Sequence, residues 1–307
     1  MIKQSTNIIL MIEPVAFGFN AETSVNNHFQ QNDNSPAAKI HELALAEFLA
    51  MVELLQSKGI KVLSIKDSTV PHTPDSIFPN NWVSFHEGGR VAVYPMFARN
   101  RRLERRNDIL QIVEKECTKK FKVTDYSHFE EKARFLEGTG SMILDRVSKI
   151  AYACLSERTD KALFLQFCAD FGYSAVSFTA NQTVGDKRMP IYHTNVMMCV
   201  ADRYVVVCLD AIDNVAEQKS VMASIIGSGK ELIEINEKQM QHFAGNMLQL
   251  VNQDGIAFLV MSQSAFDSLE RSKCEKLASF NELIVVPVPT IEKYGGGSVR
   301  CMMAEVF

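Results

Sequence analysis

The feature that most constrains this chain is a recurring pair of short apolar runs around a polar turn. Trp82–His86 and Val91–Tyr94 flank Glu87-Gly88-Gly89-Arg90, and Ser141–Asp145 and Lys149–Cys154 flank Arg146-Val147-Ser148. The pattern returns at Asn195–Val200 with Tyr204–Leu209, and again at Asn246–Val251 with Gly255–Val260. Runs of this length and composition around turn residues read as β-hairpins. After each hairpin comes a helical pattern, at 101–117, 159–171, 214–226 and 266–280, and a further short strand precedes the next hairpin, as at Ser174–Phe178, Glu231–Ile235 and Leu283–Val286. The unit is thus read as strand, hairpin and helix, with a period of about fifty residues, the mark of a repeat architecture.

Four units lie inside the chain, and a fifth is completed if a last strand, from Val299, pairs with the first, Ile8–Ile12. Closure by the termini removes exposed sheet edges. The expected fold is therefore a five-bladed α/β propeller forming one domain over residues 1–307, with a doubly wound sheet as the alternative. At the front of the chain, apolar residues at helical spacing from Pro36 to Lys58, stopped by Gly59, predict a helix, followed by a strand at Ile60–Ile65. The polar segment 18–36 reads as a long loop, and Phe19 and Asn20 are candidate lid residues.

Composition excludes several function classes. The chain has 307 residues, 47% of them hydrophobic, and 32 basic against 36 acidic residues give a net charge of -4. It offers no basic field for nucleic acid and no polybasic membrane patch. Seven cysteines without zinc-like spacing point to reduced thiols, no metal and no organic cofactor. No run is long enough for a signal segment or membrane span, so the cytoplasm is expected. A homo-oligomer is compatible with all of this.

In a propeller, residues at the start of each hairpin face a common axis. Those positions hold Phe78-Pro79-Asn80-Asn81-Trp82, Leu136-Glu137-Gly138-Thr139-Gly140, Tyr192-His193-Thr194-Asn195, Gly245-Asn246 and Gly297–Cys301. Cys301, His193 and Glu137 supply a nucleophile, a base and a carboxylate to orient it. Cys301 is read at the junction of a flexible loop, Gly295-Gly296-Gly297, and a strand, with the loop amides available to an oxyanion. A cysteine in an apolar run is also a common small core residue.

The ordered motifs FPNNW, LEGTGSMILD, LSERT, YHTN and GGGSVRC resemble the guanidino-group-modifying superfamily of amidinotransferases, arginine deiminases and dimethylarginine hydrolases. The resemblance runs through the whole chain and is nearest to the arginine-deiminase-related branch that includes the citrulline-utilisation hydrolase. It implies the five-fold propeller and a catalytic set of Cys301, His193 and Glu137. In arginine deiminases the guanidinium is clamped by aspartates at the positions that here read Asn81 and Asn195. Carboxamides offer both donors and an acceptor to a neutral ureido group but cannot neutralise a buried cation. The implied substrate is a ureido or guanidino amino acid, citrulline first, giving ornithine, ammonia and carbon dioxide through a thiocarbamoyl intermediate. Arg158, Arg101 and Arg102 are candidates for the α-carboxylate, and Asn246 completes the substrate-binding set. The alternatives are an arginine or methylarginine deiminase or dihydrolase, and a non-catalytic amino-acid-binding relative.

Overall fold

The computed structural model describes residues 2–33 and 35–307. Its strands form five three-stranded sheets with one common order, and one separate two-stranded hairpin. In the first sheet the C-terminal strand Ala304–Glu305 lies beside Ile8–Glu13, which lies beside Lys61–Lys66. The others combine Val83–His86, Arg90–Val93 and Lys122–Asp125; Ile143–Asp145, Ile150–Cys154 and Ser174–Phe178; Met198–Val200, Tyr204–Val207 and Glu231–Glu234; and Leu248–Val251, Ala257–Ser262 and Glu282–Val286. Five separate small sheets rule out the doubly wound alternative.

In every sheet the first two strands are antiparallel and the third joins the second in parallel. Parallel neighbours need a crossover connection, which the helices Ala37–Ser57, Asn107–Cys117, Lys161–Phe171 and Val215–Gly227 provide, together with the pair Gln263–Ser268 and Arg271–Ala278. This corrects the expected unit. The short strand closes the hairpin that precedes it, so the repeat is hairpin, helix, strand. The terminal pairing holds, with Ile9 opposite Glu305 and Leu10 opposite Ala304. However, the last strand has only two residues and does not begin at Val299.

The helices follow local chemistry. Ile40, Ala44, Phe48, Met51, Val52 and Leu55 recur at three- and four-residue spacing and form the buried stripe of Ala37–Ser57. Asp160 caps Lys161–Phe171 by accepting from Leu163 N–H, and Asn214 caps Val215–Gly227 through Ala216 and Glu217, caps each worth about 1 kcal/mol. The expected helix 266–280 is broken where Leu269 and Glu270 adopt extended backbone. The hairpin Asn181–Val184 with Lys187–Pro190 was not expected, because its strands are polar and largely exposed. Among the described residues of 18–36 no helix or strand occurs, and Asn34 in that loop lies outside the described residues.

The middle strands are nearly continuous buried apolar runs, as in Val205, Val206 and Val207, so the centre of each sheet is covered on both faces. At the inner strand starts lie three tight turns, Pro79–Asn81, Gly138–Ser141 and Thr194–Val196, and the middle one packs against the other two. The chain approaches itself closely here. A Cβ on Gly245 would sit 2.5 Å from the Val196 carbonyl oxygen and 2.6 Å from the Met197 carbonyl carbon. Gly245→Ala is therefore expected to cost about 1–3 kcal/mol by overpacking, read as a melting temperature several degrees lower; an unchanged value would show that these units do not press together at this point.

Candidate active site

Cys301 lies in a turn whose N–H donates to Ser298 O at 2.9 Å. Its Sγ receives Nδ2 of Asn195 at 3.2 Å and Nδ2 of Asn246 at 3.3 Å. The Asn246 amide is oriented by its neighbours, since its Oδ1 accepts from Arg300 N–H at 3.0 Å while its Nδ2 also reaches Asn195 O at 2.9 Å. Two neutral donors therefore converge on the sulfur. The Oδ1 of Asn195 is buried without a partner.

His193 faces the same cavity, of about 270 Å³, as Cys301. Its Nε2 lies 2.8 Å from Glu137 Oε2. Burial acts to raise the Glu137 carboxyl, but the Arg158 charge and the His193 hydrogen bond outweigh it and hold it at about 2. An ionised carboxylate only accepts, so Nε2 carries the proton and Nδ1 keeps its lone pair. Burial lowers His193 to about 4, against the opposing pull of Glu137. The imidazole is thus a neutral base at neutral pH. Glu137 is itself fixed through Oε1, which accepts Phe97 N–H at 2.8 Å, and through Arg158 Nη1 at 3.5 Å.

The opposite wall is charged. Arg101 donates Nε and Nη2 to the two oxygens of Glu104, at 2.8 and 2.9 Å, and Nη1 to Asn81 Oδ1 at 2.7 Å. Burial pushes Glu104 up to about 7 in spite of this pairing. Asp75 Oδ2 accepts from Asn20 at 2.8 Å and Thr23 at 3.0 Å, whereas its Oδ1 is buried with no partner. Arg158 donates Nε to Asn26 Oδ1 at 2.9 Å and Nη2 to Thr23 O at 2.7 Å, with its guanidinium 5.0 Å from the Tyr192 ring centre.

Of the residues singled out from sequence, Cys301, His193, Asn81, Arg101, Arg158, Gly295 and Gly297 line the cavity. Glu137, Asn195 and Asn246 contact those residues from behind, and Asn20 does the same for Asp75. Arg102 does not reach the cavity: its Nε and Nη2 donate to Met96 O and Phe97 O, at 3.0 and 3.3 Å. Phe19 packs on the apolar cluster around Phe17 and Phe78. The three glycines are not a free loop. Gly295 ends the helix Pro289–Gly295, Gly296 caps it at φ 60°, and the Gly296 carbonyl accepts from Tyr192 OH at 2.6 Å. A Cβ on Gly295 would meet the Phe78 ring at 2.8 Å, so this glycine admits an aromatic wall. Asp75, Thr23 and Asn27 were missed as cavity residues, and Tyr192, placed among the axis-facing positions beside His193, was given no role there. For Asp75 the usable signal was an acid two residues before the apolar Ile77-Phe78; Thr23 and Asn27 carry none beyond their place in a long polar loop.

A family model described as N,N dimethylarginine dimethylhydrolase, eukaryotic, matches residues 13–307. The chain belongs to this family. Through it the chain falls in the guanidino-group-modifying superfamily. No curated protein matches it in sequence. Among solved structures, the N-terminal domain of ArgZ bound to substrate, an arginine dihydrolase from the ornithine-ammonia cycle in Cyanobacteria, superposes with TM-score 0.71 at 19% identity, over 97% of each chain. Unliganded AgrE gives 0.74 at 16% identity over 98% of this chain and 39% of its own. A dimethylarginine dimethylaminohydrolase adduct with 4-chloro-2-hydroxymethylpyridine gives 0.64 at 18%, over 99% and 100%. The chain thus spans about 40% of the AgrE length, and at these identities the likeness speaks for an α/β fold shared with the family.

The buried imidazole has a consequence for acid stability. A histidine at 6.5 when unfolded and about 4 when folded takes up its proton more readily in the unfolded chain, so its contribution is intact above pH 6.5 and is lost as pH falls to 4. Glu137, at 4.5 unfolded and about 2 folded, adds a loss between those values. Glu104 works the other way, its contribution being lost as pH rises from 4.5 through 7. His193→Gln is therefore expected to lose less stability than the parent between pH 6.5 and 4 in urea unfolding; parallel losses would show that His193 titrates normally.

Proposed function

We propose that this protein is a cysteine-dependent hydrolase of C–N bonds in ureido amino acids, converting citrulline and water to ornithine, ammonia and carbon dioxide. The observation that carries the reading is that carboxamides, not carboxylates, meet the attacking sulfur. Asn81 likewise presents no charge, and its oxygen is already held by the Arg101 cation. A guanidinium head placed here would meet like charge, whereas a ureido group is neutral and can use both the donor and the acceptor of a carboxamide.

In the proposed reaction the Cys301 thiolate attacks the ureido carbon, and His193, neutral with its lone pair on Nδ1, has taken the thiol proton. The resulting imidazolium protonates the departing ammonia, leaving a thiocarbamoyl enzyme. His193 then deprotonates water for attack on that carbon, and the released carbamate loses carbon dioxide to give ornithine. Glu137 keeps the ring in the required tautomer and supports its charged form. At the amino-acid end, the unpartnered Asp75 Oδ1 suits the α-ammonium, and Arg158 Nη1, with Glu137 no nearer than 3.5 Å, suits the α-carboxylate.

The second reading is an arginine or methylarginine deiminase or dihydrolase, favoured by the same Asp75 carboxylate, whose Oδ1 is the one unpaired acidic oxygen on the cavity wall among the described residues, and by the family description. We also infer that the five sheets stand around a pseudo-five-fold axis as one domain, supported by their common strand order, by the pairing of the two termini and by the approach of the inner strands to one another. All seven cysteines are free, and among the described residues no helix is long and apolar enough to cross a membrane.

Purified protein supplied separately with citrulline and arginine is expected to consume citrulline with kcat/KM at least about 10²-fold higher. Accumulation of citrulline from arginine would select the second reading. Asn81→Asp combined with Asn195→Asp is expected to lower citrulline turnover by on the order of 10²-fold, the scale of losing an oriented donor at a reacting centre, and an unchanged rate would show that neither amide serves the reaction.

A further inference from the structure

A second cavity, of about 340 Å³, shares no lining residue with the first. The strand Val83–His86 joins the two: Asn81 precedes it at the catalytic cavity, and His86 ends it at the second. At about 3.3 Å per residue the two ends stand roughly 15 Å apart. Hairpin turns of the second and third sheets close this end, bringing Arg90, Arg146 and Lys149 together with Lys3 from the N-terminal segment. The acidic residue lining the same space is Glu87. Four cations therefore face one carboxylate, in a chain whose overall charge is negative.

Three of the four cations are held against aromatic rings, while Lys3 is exposed. The Arg90 guanidinium lies 4.1 Å from the Phe171 ring centre, Lys149 Nζ 5.0 Å from that of Tyr173, and the Arg146 guanidinium 3.9 Å from that of Phe307. Arg146 is only 4% exposed, and its Nε–H is buried with no acceptor. Its nearest carboxylate, Glu305, is 3.7 Å from Nη2 and is shared with Arg300 at 3.1 Å. His86 adds no charge: its Nδ1 lies 3.4 Å from Arg146 Nη1, a donor only, and its Nε2 is 2.7 Å from Ser84 Oγ. Burial, then the Arg146, Arg90 and Lys149 charges, hold this histidine well below its usual range. Lys149 also takes a positive φ of 55°, a conformation costly for a side chain with a Cβ.

An ordered, under-neutralised cluster of this kind is complementary to a compact, doubly charged oxyanion that can accept from several sides at once. We propose that this cavity binds a small phosphate-bearing anion at a site separate from the catalytic one. A phosphate group matches the spread of guanidinium and ammonium donors better than a planar, singly charged carboxylate does. The test is calorimetric titration of the full chain with inorganic phosphate and, in a second arm, with adenosine monophosphate, at matched ionic strength in chloride. Saturable binding is expected, at least tenfold weaker in Lys3→Gln/Lys149→Gln, with citrulline turnover of that variant unchanged. Saturation by the nucleotide alone would identify a phosphorylated metabolite as the ligand class, and saturation by both would identify the phosphate group itself. Should the double variant fail to fold, Arg90→Gln carries the same expectation. No saturable binding in either arm, or equal affinity in parent and variant, would overturn the proposal.

Discussion

The Glu137 carboxylate, fully buried and ionised, is the constraint to which the rest of the cavity is fitted. An unpaired charge at such a depth would be strongly destabilising, by about 3–5 kcal/mol when a partner is lost. It is tolerated because Phe97 N–H, His193 and Arg158 all address it from different segments of the chain. One of those partners, His193, can approach because the backbone beside Glu137 is glycine. A Cβ on Gly138 would stand 2.3 Å from Asn80 O, and one on Gly140 would stand 2.4 Å from Asn81 Nδ2 and 2.8 Å from His193. Glycine in the turn Gly138–Ser141 thus lets Asn80-Asn81 and His193 close on the turn that follows Glu137, and the protonation state of the imidazole follows from its meeting with that carboxylate.

The parts of this arrangement that were legible in the sequence are those set by local chemistry. Alternation of apolar runs with polar turns located the four internal hairpins and their helices, because hairpin formation depends on neighbouring residues. The grouping of the third strand was misread, since its partner is chosen by a helical crossover and not by adjacency. The polar hairpin Asn181–Pro190 was invisible for the opposite reason: its strands bury too little to leave an apolar signature. Recurrence of polar residues at equivalent points of the repeat led to Glu137, His193, Asn195, Asn246 and Cys301. Asp75 belongs to the cavity through its contact with the loop around Thr23, which no spacing rule encodes, and the bond from Tyr192 to the helix end at Gly296 is equally absent from the repeat pattern that placed Tyr192 at the axis. The triple glycine was over-read as flexible; it is a helix cap pressed against Phe78.

The polarity of the cavity separates the two ends of a substrate. Carboxamides gather at the sulfur, while the unsatisfied charge, Asp75 Oδ1 and the lightly paired Nη1 of Arg158, lies on the wall that would receive an amino acid's charged groups. On the proposed reading, the uncharged end of the ligand is thereby directed to Cys301. A second accumulation of charge, positive this time, occupies the far end of the strand that carries Asn81 to the site. The repeat architecture makes this economical: inner strand starts approach the cavity that holds Cys301, and their hairpin turns project to the other end.

The most direct test of the central claim is the intact mass of enzyme rapidly quenched during turnover of citrulline, with the modified residue located by peptide mapping. The account predicts an adduct on Cys301 equal in mass to citrulline less ammonia, appearing with citrulline and absent in Cys301→Ser. Ammonia release with an unmodified Cys301, or an adduct formed from arginine and never from citrulline, would contradict it.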